Sequence, residues 1–333
     1  MVRLVVLMSL ACGLLAVPQG LQGQDTSEVQ RLKQQIEQLR KENELLKQEI
    51  ELLKANRSGI SKLVPDTKPS EGRGDVLVVD LGNGVKMEFI RIKAGEFMMG
   101  SPDSDKDAVD NEKPQHRVKI TKDFYMAKYP VTQEQFLAVM GKNPSQFSTQ
   151  LFRAQKGKVV DTRRFPVDSV SWDDAISFCG ELRGKDKQNR KYGLPTEAEF
   201  EYAQRAGTTT RYHFGDDPTD LAAYAWYNGN ADTTTHEVGT KKPNPWGLYD
   251  MEGNVRQWCA DKFGSGYYAE SPREDPKGPD MDKYDLRVMR GNHWGLVKRG
   301  DSAAVFSRSA SRIGNRGAFR ESMDGFRVCI HLE

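Results

Sequence analysis

The sequence has few of the residues that carry soft-metal or thiol chemistry. Of its four cysteines, Cys12 lies in an N-terminal apolar run, which leaves Cys179, Cys259 and Cys329 for the remainder. An odd count leaves at least one of these without an intramolecular partner. Five histidines stand at 116, 213, 236, 293 and 331, no two at zinc-ligand spacing, and neither CxxC nor HExxH occurs. No glycine loop of the Walker or Rossmann type is present, so no nucleotide cofactor is indicated. A charge excess is also missing. Lys+Arg 49 stand against Asp+Glu 47, which removes nucleic acid as the default partner. Long apolar runs are missing too. Residues 4–17 form one of 14 after Arg3, shorter than a comfortable membrane span, and residues 18–23 are small and polar. That is the layout of a secretory signal. Residues 1–23 are expected to be removed, and the mature chain to be secreted or held in the periplasm or cell envelope.

Residues 27–56 form a heptad array. With Val29, Ile36, Asn43 and Ile50 at a, Leu32, Leu39, Leu46 and Leu53 fall at d without a break. β-Branched residues at a with leucine at d favour two parallel strands, and a lone asparagine at a fixes the pairing at a cost in stability. The g positions Glu28, Gln35, Glu42 and Glu49 face the e positions Lys33, Arg40, Lys47 and Lys54, mostly as acid–base pairs. Exposed pairs of this kind set orientation more than stability. The chain is therefore expected to pair with itself as a parallel homodimer. Residues 57–75, with two prolines and three glycines among many charges, read as a linker.

Residues 76–333 mix strands and helices. Strands are expected at 76–79, 86–92, 96–99, 117–120, 124–129, 287–290 and 325–331. Thr132 with Gln135, Ser171 with Asp174 and Thr196 with Glu199 each have the form of a capping box and predict three helix starts. In the second helix Trp172, Ala175, Ile176, Cys179 and Leu182 repeat at helical spacing and define a buried face. Turn formers dominate from 208 to 287. The domain reads as α+β and loop-rich, not as βαβ repeats.

The order of short motifs carries more information than any one of them. GEFMMGS at 95–101, EKPQHRV at 112–118, YPVTQEQF at 129–136, PV at 166–167 with VSWDDA at 170–175, LPTEAEFEYA at 194–203, NPWGLYDMEGNV at 244–255, RG at 290–291, RSA at 308–310 and GFR at 325–327 succeed one another along the chain. This order resembles the formylglycine-generating enzyme, or sulfatase-modifying factor, family. The resemblance covers about 250 residues and does not include the heptads. It implies a C-type-lectin-like fold and, in an intact member, oxidation of a sulfatase cysteine by a copper-dependent pair of thiols.

The departures from that pattern are as informative. The segment expected to hold the thiol pair reads RGNHWGLVKRGD at 290–301, with Leu296 and Asp301 where the two cysteines would stand. Neither side chain supplies a thiolate, so copper is not expected. Gln257 replaces the glutamate of a family calcium site. A candidate site at Asn254 and Gln257 keeps amide oxygens but gives up a charge, and calcium affinity depends on the carboxylate count. The resemblance also implies a Cys179–Cys329 disulfide, although Val328 before Cys329 shifts the cysteine by one position in a strand, which reverses its direction. Arg327 is expected as a buried ion-pair residue and His293 as an exposed loop histidine. Arg290, His293, Trp294, Arg299 and Asp301 are candidates for a binding groove that recognises an extracellular or envelope peptide or glycan without chemistry. The expected function is a non-catalytic binding or structural protein. The alternatives are a sulfatase-modifying oxidase working through Cys259 or Cys329, or an enzyme with another site, such as His293 with Asp301, on the same scaffold.

Asn43→Val removes the polar residue from the heptad seam. It should raise the melting temperature and broaden the distribution of oligomers seen by light scattering. A monomer at micromolar concentration before the substitution would remove the dimer.

Overall fold

The computed structural model of the protein describes residues 75–156, 159–280, 284–295 and 303–332, together with Gln30, residues 34–38, Lys41 and Glu44. Residues 1–70 and 71–333 form two units. In the first unit the described residues are helical, and Ile36, an expected a position, is 39% exposed in the single chain. The other seam residues Val29, Leu32, Leu39, Asn43, Leu46, Ile50 and Leu53 lie outside the described residues, as does the 1–23 segment.

The second unit is built on three sheets. Strands β1 (Val76–Gly82), β2 (Val85–Ile92), β5 (Phe124–Ala127), β11 (Cys329–His331) and β6 (Lys191–Gly193) form an antiparallel sheet in that order. A second sheet has the order β10 (Asp324–Phe326), β7 (Arg256–Lys262), β8 (Leu286–Arg290), β9 (Arg312–Arg316), with β10 and β7 parallel. Strands β3 (Gly95–Met99) and β4 (His116–Ile120) form a hairpin. The strand expected at 325–331 is two strands, because the chain leaves the second sheet after Phe326 and enters the first at Cys329. Strands β6, β7 and β9 are not legible from alternation.

The three capping boxes form as the sequence expects. Thr132, Ser171 and Thr196 cap α1 (Gln133–Met140), α3 (Trp172–Lys185) and α4 (Glu197–Arg205), each with the reciprocal side-chain bond. Helix α2 (Thr149–Lys156) lies between the first two. In α3 the buried face is Ala175, Phe178, Cys179 and Leu182, while Ile176 is 38% exposed. The face is thus rotated toward Phe178, which stacks on Phe136 at 5.6 Å and meets the edge of Phe326 at 5.3 Å. The first sheet is buried on both faces at its centre, while its edge strand β1 leaves Val76 and Val78 exposed. Met87, Phe89, Val328 and Ile330 pack with α1 and α3, and Ile90, Met126 and Cys329 pack with Phe200 of α4 and Cys259 of β7.

Thr196→Ala removes the side-chain acceptor for the Glu199 amide and should cost about 1 kcal/mol of stability by denaturant titration. An unchanged midpoint would mean that Glu199 and the tertiary contacts hold α4 without the cap.

Candidate functional site

Strand β8 ends at Arg290, and Gly291 then turns the chain with φ +73, where a Cβ would stand 2.9 Å from the Met251 carbonyl oxygen. Arg290 does not line a groove. It is fully buried, its guanidinium donating to Glu201 Oε2 at 2.6 Å and to the Ser309 and Ala310 carbonyls at 2.6 and 3.1 Å. Glu201 also accepts from Arg205 Nε and the Gly100 amide, each at 2.9 Å. One turn earlier on α4, Glu197 takes a two-pronged bond from Arg312 at 2.6 and 2.7 Å. Burial pushes the Glu201 carboxyl up, but Arg205 and Arg290 outweigh it and hold it below the usual range. Nearby, Arg308 grips Glu112 at 2.6 and 2.8 Å, again with both groups buried. The signal for this network is in the sequence. Glu197, Glu201 and Arg205 recur every fourth residue in α4, so they share one face.

His293 is buried, not exposed. Its Nδ1 accepts from the Gly295 amide at 3.0 Å, and burial, with Arg256 adding to it, pushes its pKa down to about 3. A histidine neutral throughout the physiological range does not fit the acid–base role considered for it. Trp294 is half-buried. Its indole donates to the Ser322 carbonyl at 3.0 Å and its ring meets Phe147 edge-on at 4.9 Å, so both its polar and its apolar surfaces are engaged within the chain. Leu296, Arg299 and Asp301 lie outside the described residues. The structure therefore removes Arg290 from the candidate groove and gives His293 and Trp294 structural contacts.

The candidate calcium ligands are also engaged. Asn254 Oδ1 accepts from the His236 amide at 3.0 Å, and Gln257 Oε1 accepts from Arg327 Nε at 2.5 Å, while Gln257 Nε2 donates to the Asp250 carbonyl. Both amide oxygens are thus engaged within the chain, and the two neutral side chains do not fit a calcium site. Arg327 is buried as expected, but its other bonds go to the Ala127 and Tyr249 carbonyls, and among the described residues no carboxylate touches it. Burial accordingly pushes its pKa down to about 10, against the attraction of Asp250, and burial pushes Asp250 up to about 6. No group of three or more His, Cys, Asp or Glu among the described residues could hold a metal ion.

The three cysteines are free thiols and all buried. Cys179 packs on the α3 side of the first sheet and Cys329 on the opposite side, so the implied disulfide is not made. The one-residue offset caused by Val328 is the physical reason. Burial pushes Cys179 up to about 12 and pushes Cys259 and Cys329 well above the usual thiol range. A pair that sequence reasoning missed is His213 with Glu252, both buried, at 2.6 Å. The two lie 39 residues apart in sequence and no spacing links them, so only the fold reveals the pair.

The profile of the sulfatase-modifying factor enzyme 1-like domain matches residues 82–332. The chain belongs to this family. It is 34% identical over 261 residues to the serine/threonine-protein kinase pkn1 of Chlamydia pneumoniae, covering 74% of this chain and 38% of that one, so it spans little more than a third of that relative. It is 25% identical over 298 residues to the inactive C-alpha-formylglycine-generating enzyme 2 of Bos taurus, covering 75% of this chain and 90% of that one. Among solved structures, Treponema denticola variable protein 1 superposes with a TM-score of 0.65 at 27% identity, covering 77% of this chain and 99% of that one. The fold is that of the family, mixed in helices and strands.

Burial disfavours the Cys179 thiolate and shields the thiol from reagent. Iodoacetamide should leave Cys179, Cys259 and Cys329 unlabelled in the native chain and label all three in guanidinium without reductant. Rapid native labelling would contradict buried, protonated thiols, and a pair still unlabelled after unfolding would mean a disulfide.

Proposed function

We propose that the chain is a non-catalytic member of the sulfatase-modifying factor family, a binding or structural protein that is secreted or held in the periplasm or cell envelope and is paired through its heptads. One observation carries this reading. The segment that holds the enzymes' thiol pair has Leu296 and Asp301 instead, and no other thiol takes over, because Cys179, Cys259 and Cys329 are all buried and held protonated. A copper ion would need soft thiolate ligands, which these positions do not supply. The oxidase alternative through Cys259 or Cys329 loses support for the same reason. A relative named as inactive indicates that family membership and lost activity occur together elsewhere. The 1–23 segment and the exposed Ile36 support export and pairing.

The test is incubation of the full chain with copper, oxygen and a cysteine-containing sulfatase peptide, with peptide mass as the readout. No conversion of the cysteine to the aldehyde is expected. Conversion at the rate of an intact family member would overturn the reading.

A further inference from the structure

A cavity of about 570 Å³ opens on the side of the first sheet that carries Cys329. That size lies within the range of small-molecule sites. Its apolar wall is made by Ile120, Phe124, Leu194 and Ala260. Four carboxyl groups also line it, and they are not equivalent. Glu199 accepts from the Thr196 amide at 2.8 Å and faces His331 Nε2 at 3.2 Å. Asp123 accepts from the Ala94 amide at 2.8 Å and from Arg91. Asp275 accepts from the amide and hydroxyl of Thr121. Asp261 differs from all three. It is 4% exposed, and its Oδ2 accepts only the Glu197 amide, at 2.8 Å. Among the described residues its Oδ1 has no donor and no cation stands in ion-pair contact with it.

Lys122 and Lys277 also line the cavity, but neither is in ion-pair contact with Asp261, so this buried carboxyl with one free oxygen lacks a cation partner, and the apolar wall beside it calls for an apolar body. We propose that this cavity binds a small organic ammonium ion carrying an apolar arm, with Asp261 as the carboxylate that receives the ammonium group. The arm lies along Phe124 and Leu194. Burial, with Glu197 and then Glu199 adding to it, pushes the Asp261 carboxyl well up. An entering ammonium group supplies the missing counter-charge. This inference is independent of the segment at 290–301 and of whether the chain is catalytic.

The probe is phenethylamine, with phenethyl alcohol as its uncharged counterpart, titrated into the full chain by calorimetry and by shifts of methyl resonances. Saturable binding of the amine is expected, with the alcohol at least tenfold weaker. Asp261→Asn keeps an acceptor for the Glu197 amide and should weaken amine binding at least tenfold without changing the melting temperature. Absence of saturable amine binding at millimolar concentration, equal binding of the alcohol, or full affinity in a folded Asp261→Asn chain would each overturn the proposal. Should the variant not fold, the contrast between amine and alcohol on the native chain decides it.

Discussion

The second unit is organised around the acidic face of α4. Glu197 and Glu201 stand one turn apart and both are buried, so each must find cations and donors inside the protein. They find them on three different elements. Arg312 comes from β9, Arg290 from the end of β8, and Arg205 from the last turn of α4 itself. The same groups reach the loop before β4, through the bond from the Gly100 amide to Glu201 and from Arg312 to the Asn111 carbonyl. Desolvating these charges costs about as much as their attraction returns, so the network adds little net stability. Its effect is positional. Removing one partner would leave a charge buried without compensation, at about 3–5 kcal/mol, and the elements can therefore meet in few other registers.

Arg327 is the exception within this pattern. It is as buried as Arg290, yet it is held by three oxygens of neutral groups, one of them the side chain of Gln257. The family resemblance implies a calcium ligand at the position of Gln257, and here its side-chain oxygen accepts from Arg327. The calcium reading and the groove reading of Arg290 fail for the same physical reason. Polar groups that look available in the sequence have been used to satisfy one another in the core.

Burial on both faces of the first sheet has a comparable effect on the thiols. In such a sheet, neighbouring residues of one strand belong to different clusters, so Cys329 and Ile330 face opposite ways. Cys179 is on the Ile330 side. The cysteines become ordinary apolar core residues, protected and protonated, and this rather than their number argues against thiol chemistry in the chain.

The family, the three helix starts and most of the strands of the second unit are legible in the residues alone. These depend on local rules, since a capping box is complete within four residues and an apolar run within a strand. The absence of a thiol at Leu296 and Asp301 is legible in the same way. The roles of Arg290, His293, Trp294, Gln257 and Arg327, the buried His213–Glu252 pair and the isolated carboxyl of Asp261 emerge only in the folded chain. Whether a polar side chain serves a ligand or the core depends on which distant groups the fold brings within hydrogen-bond distance, and no spacing along the chain encodes that.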